Sequence, residues 1–270
     1  MPLGAIIVCA DDFALHAGVT QAVIELARAG RLSATSAMVL SPRWTQDAAA
    51  LRELRGRLDV GLHLDWTSDF AHAAGHGLGL GAAMLRAALG AIDRARAQAV
   101  VARQLDAFEA HWQAPPDFVD GHQHVQQFAG IRQALLAELA RRYGTLARKP
   151  YLRVSQPLPG LADGKSRIIA AWGANALKKE AASAGMVCAR GLFGIYDFDD
   201  DEAAYAARMG HWLAQAQAGA ILMCHPALHA QPGDPIAAAR VREAAYLASP
   251  AFAQALIHAG WRVARGAQAL

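Results

Sequence analysis

The chain has 270 residues, a formal net charge of +3 and a hydrophobic content of 54%. It contains no apolar run of the ~18 residues that a transmembrane helix requires, and no concentrated basic stripe of the kind that binds nucleic acid. We therefore expect no nucleic-acid partner and no transmembrane segment, although the arginines leave peripheral contact with an anionic membrane open. The N-terminal apolar run is short and ends in two acids, unlike a secretory signal, so a cytoplasmic location is expected.

Short apolar runs alternate along the chain with segments of helical periodicity. Strands are predicted over residues 5–12, 33–40, 59–66, 118–124, 151–155, 186–193, 218–225 and 261–265. Helices are predicted over residues 19–29, 92–112, 131–142, 166–184, 200–216 and 235–247. This alternation is typical of parallel βα units. Seven or eight such units predict an α/β fold, an irregular TIM-like (β/α) barrel that forms a single domain over residues 1–270.

One segment breaks the alternation. Residues 67–90 are rich in glycine and alanine and have only weak periodicity. A loop of this length inside a compact domain usually serves function. We therefore predict that residues 67–90 form an inserted lid over the substrate.

Two adjacent carboxylates, Asp11 and Asp12, follow the first apolar run. Two acids before a loop can simply form a turn that caps the following helix, with no role in function. Burying two acids side by side is costly unless a positive charge lies beside them, and a bound cation would supply it. Because successive side chains on a strand point to opposite faces, the two acids are expected to have different roles.

Four histidines lie late in other predicted strands: His63, His122, His124 and His225. All fall at the C-terminal ends of parallel strands, which is the face on which barrels build active sites. A carboxylate with two imidazoles is a suitable ligand set for a divalent ion. His122 and His124 are expected to point the same way, so spacing leaves either as a ligand. A single histidine such as His63 is often only a core residue, but the convergence of four on one face favours a site.

Two further residues are candidates for binding substrate, together with His124. Arg153 lies in a predicted buried strand and needs a carboxylate partner, which is either an active-site acid or a structural ion pair. Trp66 stands where the third strand ends, where it either stacks on a sugar ring or closes the edge of the core.

Five motifs are spread along nearly the whole chain: Ala-Asp-Asp-Phe at 10–13, Ser-Ala-Thr-Ser at 33–36, Asp-Val-Gly-Leu-His-Leu at 59–64, Asp-Gly-His-Gln-His-Val at 120–125 and Cys-His-Pro at 224–226. Together they resemble the YdjC-like carbohydrate deacetylases, which include chitooligosaccharide deacetylase. Segments 120–127, 196–198 and 234–236 look most similar to the branch associated with hopanoid lipid biosynthesis.

The resemblance implies a βα barrel with a divalent ion held by Asp12, His63 and His122, and so selects the first histidine of the pair. The implied reaction removes the acetyl group from an N-acetylated amino sugar or glycolipid, and for the hopanoid branch from an N-acetylglucosaminyl hopanoid. Asp11 is then the expected general base and His225 the expected general acid. Mg or Zn is the expected ion, while Ni and Co also suit such a site.

Two other functions stay open at this point. A different metal-dependent barrel hydrolase, an amidohydrolase or phosphoesterase, commonly starts with two histidines on the first strand, where this chain has two acids. A non-catalytic glycan-binding module would be favoured if Asp11 or His225 lay away from the metal. Homodimerisation also stays open.

Overall fold

A computed structural model describes residues 3–158 and 163–270 of the chain. Its strands are β1 (Gly4–Phe13), β2 (Ala34–Ala37), β3 (Asp59–Leu64), β4 (Phe118–Gly121), β5 (Tyr151–Leu152), β6 (Leu192–Phe193), β7 (Ile221–Cys224) and β8 (Trp261–Val263). The helices are α1 (Ala17–Arg28), α2 (Trp44–Arg52), α3 (Asp69–Ala73), α4 (Leu80–Ala88), α5 (Arg94–Trp112), α6 (Ile131–Tyr143), α7 (Gly164–Ala171), α8 (Ala174–Ser183), α9 (Glu202–Gln215), α10 (Ala237–Ala248), α11 (Pro250–His258) and α12 (Gly266–Ala269).

The strands form one parallel sheet in the order β5-β4-β3-β2-β1-β7-β6, and β8 pairs with the beginning of β1. The sheet curls so that its two edges approach. The backbone N–H of Leu152 in β5 donates to the carbonyl of Val187, and the N–H of Ala189 donates to the carbonyl of Leu152. The segment before β6 therefore bridges the gap between the edges. The prediction of an irregular, TIM-like barrel in an α/β fold is confirmed.

Successive side chains of β1 point to opposite faces of the sheet, so the strand contributes to two hydrophobic clusters. Ile7 and Cys9 pack with Phe118 and Ile221 in a cluster formed largely by strand residues. Even-numbered residues of β1 such as Val8 join the larger cluster between the sheet and the helices. Alternation on a pleated strand thus sets the direction of the polar residues that follow.

Several elements differ from the prediction. The predicted helix over 166–184 is two helices, α7 and α8, separated at Gly173, whose φ is +122°. A Cβ there would lie 2.2 Å from the carbonyl oxygen of Gln127, so only glycine fits. Helices α2 and α11 were not predicted, and the predicted strand over 118–124 ends early, at Gly121.

The inserted segment 67–90 is not an irregular loop, because it contains α3 and α4. Ser68 caps α3 by accepting hydrogen bonds from the backbone N–H groups of Phe70 and Ala71. In the part of the chain that the structure describes, no helix is long and apolar enough to cross a membrane.

Candidate functional site

The end of β1 places both acids at the same rim. Asp11 continues the alternation of Ile7 and Cys9, so its side chain points into the barrel. Asp12 would point the other way on a regular strand, but its φ is +63° and the pairing of β1 with β2 shifts register between Ala10 and Phe13. This bulge re-aims the Asp12 carboxylate. Adjacent acids therefore face a common site from two directions.

Asp12, His63 and His122 come together as a potential metal-binding group. Oδ1 of Asp12 lies 3.3 Å from Nε2 of His63 and 3.1 Å from Nδ1 of His122. The three ligand atoms all lie within 4.8 Å of one another. Asp12 and His63 are buried, while the His122 side chain is 22% exposed. One carboxylate and two imidazoles on a cavity wall fit a divalent ion with coordination positions left for water or substrate.

A buried carboxylate behind His63 fixes its ring. Nδ1 of His63 lies 2.6 Å from Oδ1 of Asp120, which leaves Nε2 directed at the site. This histidine–carboxylate pair is the usual support of a metal-ligating imidazole. Burial lowers the pKa of His63, but the charges of Asp120 and Asp11 outweigh it and raise the pKa to about 10. The surroundings of His63 therefore favour a positive charge at this point.

Asp11 is held by Arg153. Nη2 of Arg153 donates to Oδ2 of Asp11 at 2.7 Å, Nη1 donates to Oδ1, and Nη2 also lies 3.1 Å from Oδ2 of Asp120. Burial raises the pKa of Asp11, but the Arg153 charge and the nearby histidines bring it down to about 2, so the acid is ionised at neutral pH. Arg153 is fully buried and does not reach the cavity. Of the two expected partners, the structure shows an acid of the site, while the predicted contact of Arg153 with substrate stays a prediction that its burial does not favour.

His122 and His124 do not point the same way, contrary to the prediction. They lie in a 3₁₀ helix, His122–Gln127, in which Gln123 and His124 have positive φ. Nδ1 of His122 faces Asp12, whereas Nδ1 of His124 lies 2.8 Å from the hydroxyl of Ser155. Burial and the charge of Arg153 lower the pKa of His124 to about 3, so its ring is neutral.

His225 follows β7 and faces Asp11 across the site. Its Nε2 lies 3.9 Å from Oδ2 of Asp11, and its backbone N–H donates to Oε2 of buried Glu243 at 2.6 Å. The ring contacts Phe198 edge to face, with centroids 5.2 Å apart. Burial lowers the pKa of His225 although the charge of Asp11 opposes it. Among the described residues, Nδ1 of His225 has no hydrogen-bond partner.

These groups open on a cavity of about 830 Å³. Its lining includes the two acids of β1, His63, the two histidines of the 3₁₀ helix and His225. The inserted segment contributes its first residues, Thr67 to Phe70. Trp66 is absent from this lining. It is 4% exposed, packs edge to face on His76 and borders a separate cavity of about 360 Å³ beside α5. The structure therefore does not place Trp66 where a sugar in the main cavity would meet it.

Comparison with known proteins now adds to this geometry. The model of the family described as YdjC-like protein matches residues 5–258. The chain belongs to the YdjC-like family. A search of curated proteins finds no match.

Two solved structures share the fold of this YdjC-like chain. A proposed cellobiose-phosphate cleavage protein from Enterococcus faecalis is 20% identical, with 98% of each chain covered and a TM-score of 0.73. A family 4 acetyl xylan esterase from Clostridium thermocellum, in complex with cobalt, is 9% identical, with 97% of this chain and 87% of the esterase covered and a TM-score of 0.50. At these identities the likeness concerns the fold alone.

The sequence did not reveal a second arginine in the YdjC-like site. Nη2 of Arg240, on α10, donates to Oδ2 of Asp12 at 2.7 Å, and its Nε donates to Asp234 at 2.6 Å. Burial raises the pKa of Asp12, but Arg240 and the two histidines hold it well below its usual range. Arg240 and Glu243 share one buried face of α10. A charged pair three positions apart on a helix normally indicates a solvated face, so only the tertiary fold shows their role.

Proposed function

We propose that this protein is a metal-dependent hydrolase that removes the N-acetyl group from an N-acetylated amino sugar. The observation that carries the proposal is the position of ionised Asp11. It lies beside the Asp12–His63–His122 group and within 3.9 Å of His225. A fold shared with an acetyl xylan esterase that holds cobalt supports a deacetylating site with a divalent ion.

Asp12, His63 and His122 would hold the divalent ion, for which we propose Mg or Zn. When bound, it would polarise the acetamide carbonyl and make an attacking water more acidic. Oδ2 of Asp12 is engaged by Arg240, which leaves Oδ1 as the ligand atom. A cation would also take the place of the proton that the surroundings of His63 favour, because among the described residues the three acids Asp11, Asp12 and Asp120 are paired with two buried arginines, Arg153 and Arg240.

Asp11 would accept the proton of the attacking water, and Arg153 keeps it ionised and oriented for that step. His225 would deliver a proton to the departing sugar amine. Because burial lowers its pKa, the His225 ring is neutral at rest. We propose that it gains the proton that Asp11 has taken from water across the 3.9 Å between them. The first proton of the water then leaves on the amine. The second stays on the acetic acid that is released, which ionises to acetate in solution.

For the substrate we propose an N-acetylated sugar or a glycolipid, the most specific candidate being an N-acetylglucosaminyl hopanoid. Phe198 and Phe70 line the cavity and offer apolar surface to a sugar face or a lipid, and His124, which also lines it, would contact the sugar. Segment 67–90 would act as the lid, since its first residues border the cavity. All of these groups come from one chain, so the proposal needs no second copy. The cytoplasm remains the proposed location.

The test measures acetate release by metal-loaded protein from diacetylchitobiose and from N-acetylglucosaminyl hopanoid. Release from either supports deacetylation, and the ratio between them identifies the substrate class. Release from neither would contradict the proposal. Hydrolysis of p-nitrophenyl phosphate, assayed in parallel, would point instead to a phosphoesterase.

A further inference from the structure

Helix α4 leaves two leucines in solvent. It packs on the core through buried Ala83 and Ala87 and through partly buried Met84. On the other side of the helix Leu85 is 60% exposed, and Leu89, at the C-cap, is 72% exposed. Removing a leucine side chain from water is favourable in proportion to the apolar area that is buried. The two exposed leucines gain little of this in water, but they would gain it against an apolar partner.

The outer face is continuous. At 100° per residue, Leu85 and Leu89 lie about 40° apart around the axis of α4. Exposed Ala82 and Ala88 flank them on either side. We call these four residues the leucine face. Leu80, at the start of the same helix, is a further exposed leucine.

Arginines lie beside the leucine face, where Arg86 and Arg96 line the small cavity of about 360 Å³. Arg86 is exposed on α4, and Arg94 and Arg96 are exposed at the start of α5. Residues 80–104 contain four arginines and a single acid, Asp93. The carboxylate of Asp93 caps α5 by accepting the backbone N–H of Arg96 at 2.7 Å. The surface thus combines an apolar face with arginines along its edge, here called the arginine rim, and this combination is typical of helices that lie in a membrane interface.

We propose that the leucine face docks this protein on the surface of an anionic lipid membrane, with Arg86, Arg94 and Arg96 contacting the headgroups. The arginines favour a membrane over a second copy of the chain as the partner of the leucine face. A twofold contact through the same face would bring one arginine rim against another. Anionic headgroups instead neutralise the rim while the leucines enter the boundary of the acyl chains. Because the inserted segment that carries the face also supplies Phe70 to the cavity wall, docking would bring a membrane close to that wall.

The test uses the full chain and needs no enzymatic activity. Binding is measured by co-sedimentation with vesicles of pure phosphatidylcholine and of phosphatidylcholine mixed equally with phosphatidylglycerol. We expect binding to the anionic vesicles only, weakened by added salt. The double variant Leu85→Gln/Leu89→Gln should bind at least about tenfold more weakly, and Arg86→Gln about fivefold more weakly. Ile257→Gln removes an equally exposed residue from α11 (64% exposed) and should bind as the wild type does.

Circular dichroism and thermal unfolding check that each variant is folded; all four substituted residues are exposed, so the folds should match the wild type. The proposal is overturned if the wild-type protein binds neither kind of vesicle, or if the double variant binds as well as the wild type. Size-exclusion chromatography with light scattering supplies the third outcome. A wild-type dimer that the double variant converts to a monomer, without lipid binding, would make the leucine face a contact between copies and overturn the membrane assignment.

Discussion

Asp11→Asn separates the two acids of β1 most directly. The amide has the shape of the carboxylate but cannot accept a proton from water, so turnover should fall by about 10²–10⁴-fold, the usual contribution of a general base. Metal affinity should change little, because both oxygens of Asp11 are engaged by Arg153 and the proposed ligands are elsewhere. Of the charged partners in the described part of the chain, the buried guanidinium would keep Asp120, at 3.1 Å. Breaking a buried ion pair costs about 3–5 kcal/mol, and this remaining partner places the loss near the lower end.

The assay has three readouts on the same preparation: acetate release, bound metal by elemental analysis after gel filtration, and the free energy of unfolding in urea. Asp12→Asn is the matched control, since it should lose metal and turnover together. Loss of metal in Asp11→Asn comparable to that in Asp12→Asn would make Asp11 a ligand and refute the division of roles. Undiminished turnover in Asp11→Asn would refute its role as the base.

Three further predictions test other parts of the chain. His122→Ala should weaken metal binding by about 100-fold or more and His124→Ala by much less, measured by competition with a chelating dye; the reverse order would make His124 the ligand. Glu243→Gln should lower kcat about tenfold or more with a smaller effect on KM, because Glu243 positions the backbone of His225, and an unchanged kcat would deny that role. Burial and a neighbouring acid raise the pKa of Asp59 to about 6. Folding therefore favours its protonated form, and the stability gained below about pH 4 is lost as the pH rises past 6. Asp59→Asn should then stabilise the protein by of order 2 kcal/mol at pH 7.5 and little at pH 4, and urea unfolding that shows the same difference at both pH values would contradict this.

The sequence predicted the barrel because its strands are unusually clear. β1 is an apolar run with polar residues only where it reaches the site, and β3 is apolar between Asp59 at its start and His63 near its end. The alternation with helices leaves few other folds. The shorter elements could not be located as well. β5 and β6 each have two residues, so their boundaries depend on hydrogen bonds across the closing edge of the barrel and not on a pattern in the chain.

The largest error in the site concerned the two histidines of the 3₁₀ helix. The strand β4 ends at Gly121, where a Cβ would lie 2.9 Å from the backbone nitrogen of Gln126, so the chain must turn back on itself there. The turn is made with positive φ at Gln123 and His124. Residues other than glycine rarely adopt this backbone conformation, and no local sequence pattern indicates it here. Strand alternation was therefore the wrong rule for this segment. The resemblance to a family implied His122, and it is His122 whose Nδ1 faces Asp12 in the structure.

A local sequence pattern also cannot show which oxygens of Asp11 and Asp12 are engaged by other residues. Each acid has its own arginine, and the two arginines come from distant parts of the chain: Arg153 directly follows β5 and Arg240 lies on α10. Arg153 donates hydrogen bonds to both oxygens of Asp11. This keeps the acid ionised but makes its oxygens less available to a metal ion. Arg240 engages only Oδ2 of Asp12, so Oδ1 is left facing His63 and His122. In the proposed mechanism, the difference between the base and the ligand is thus set by which carboxylate oxygens the arginines occupy, and the adjacent acids could exchange roles only if their arginines did.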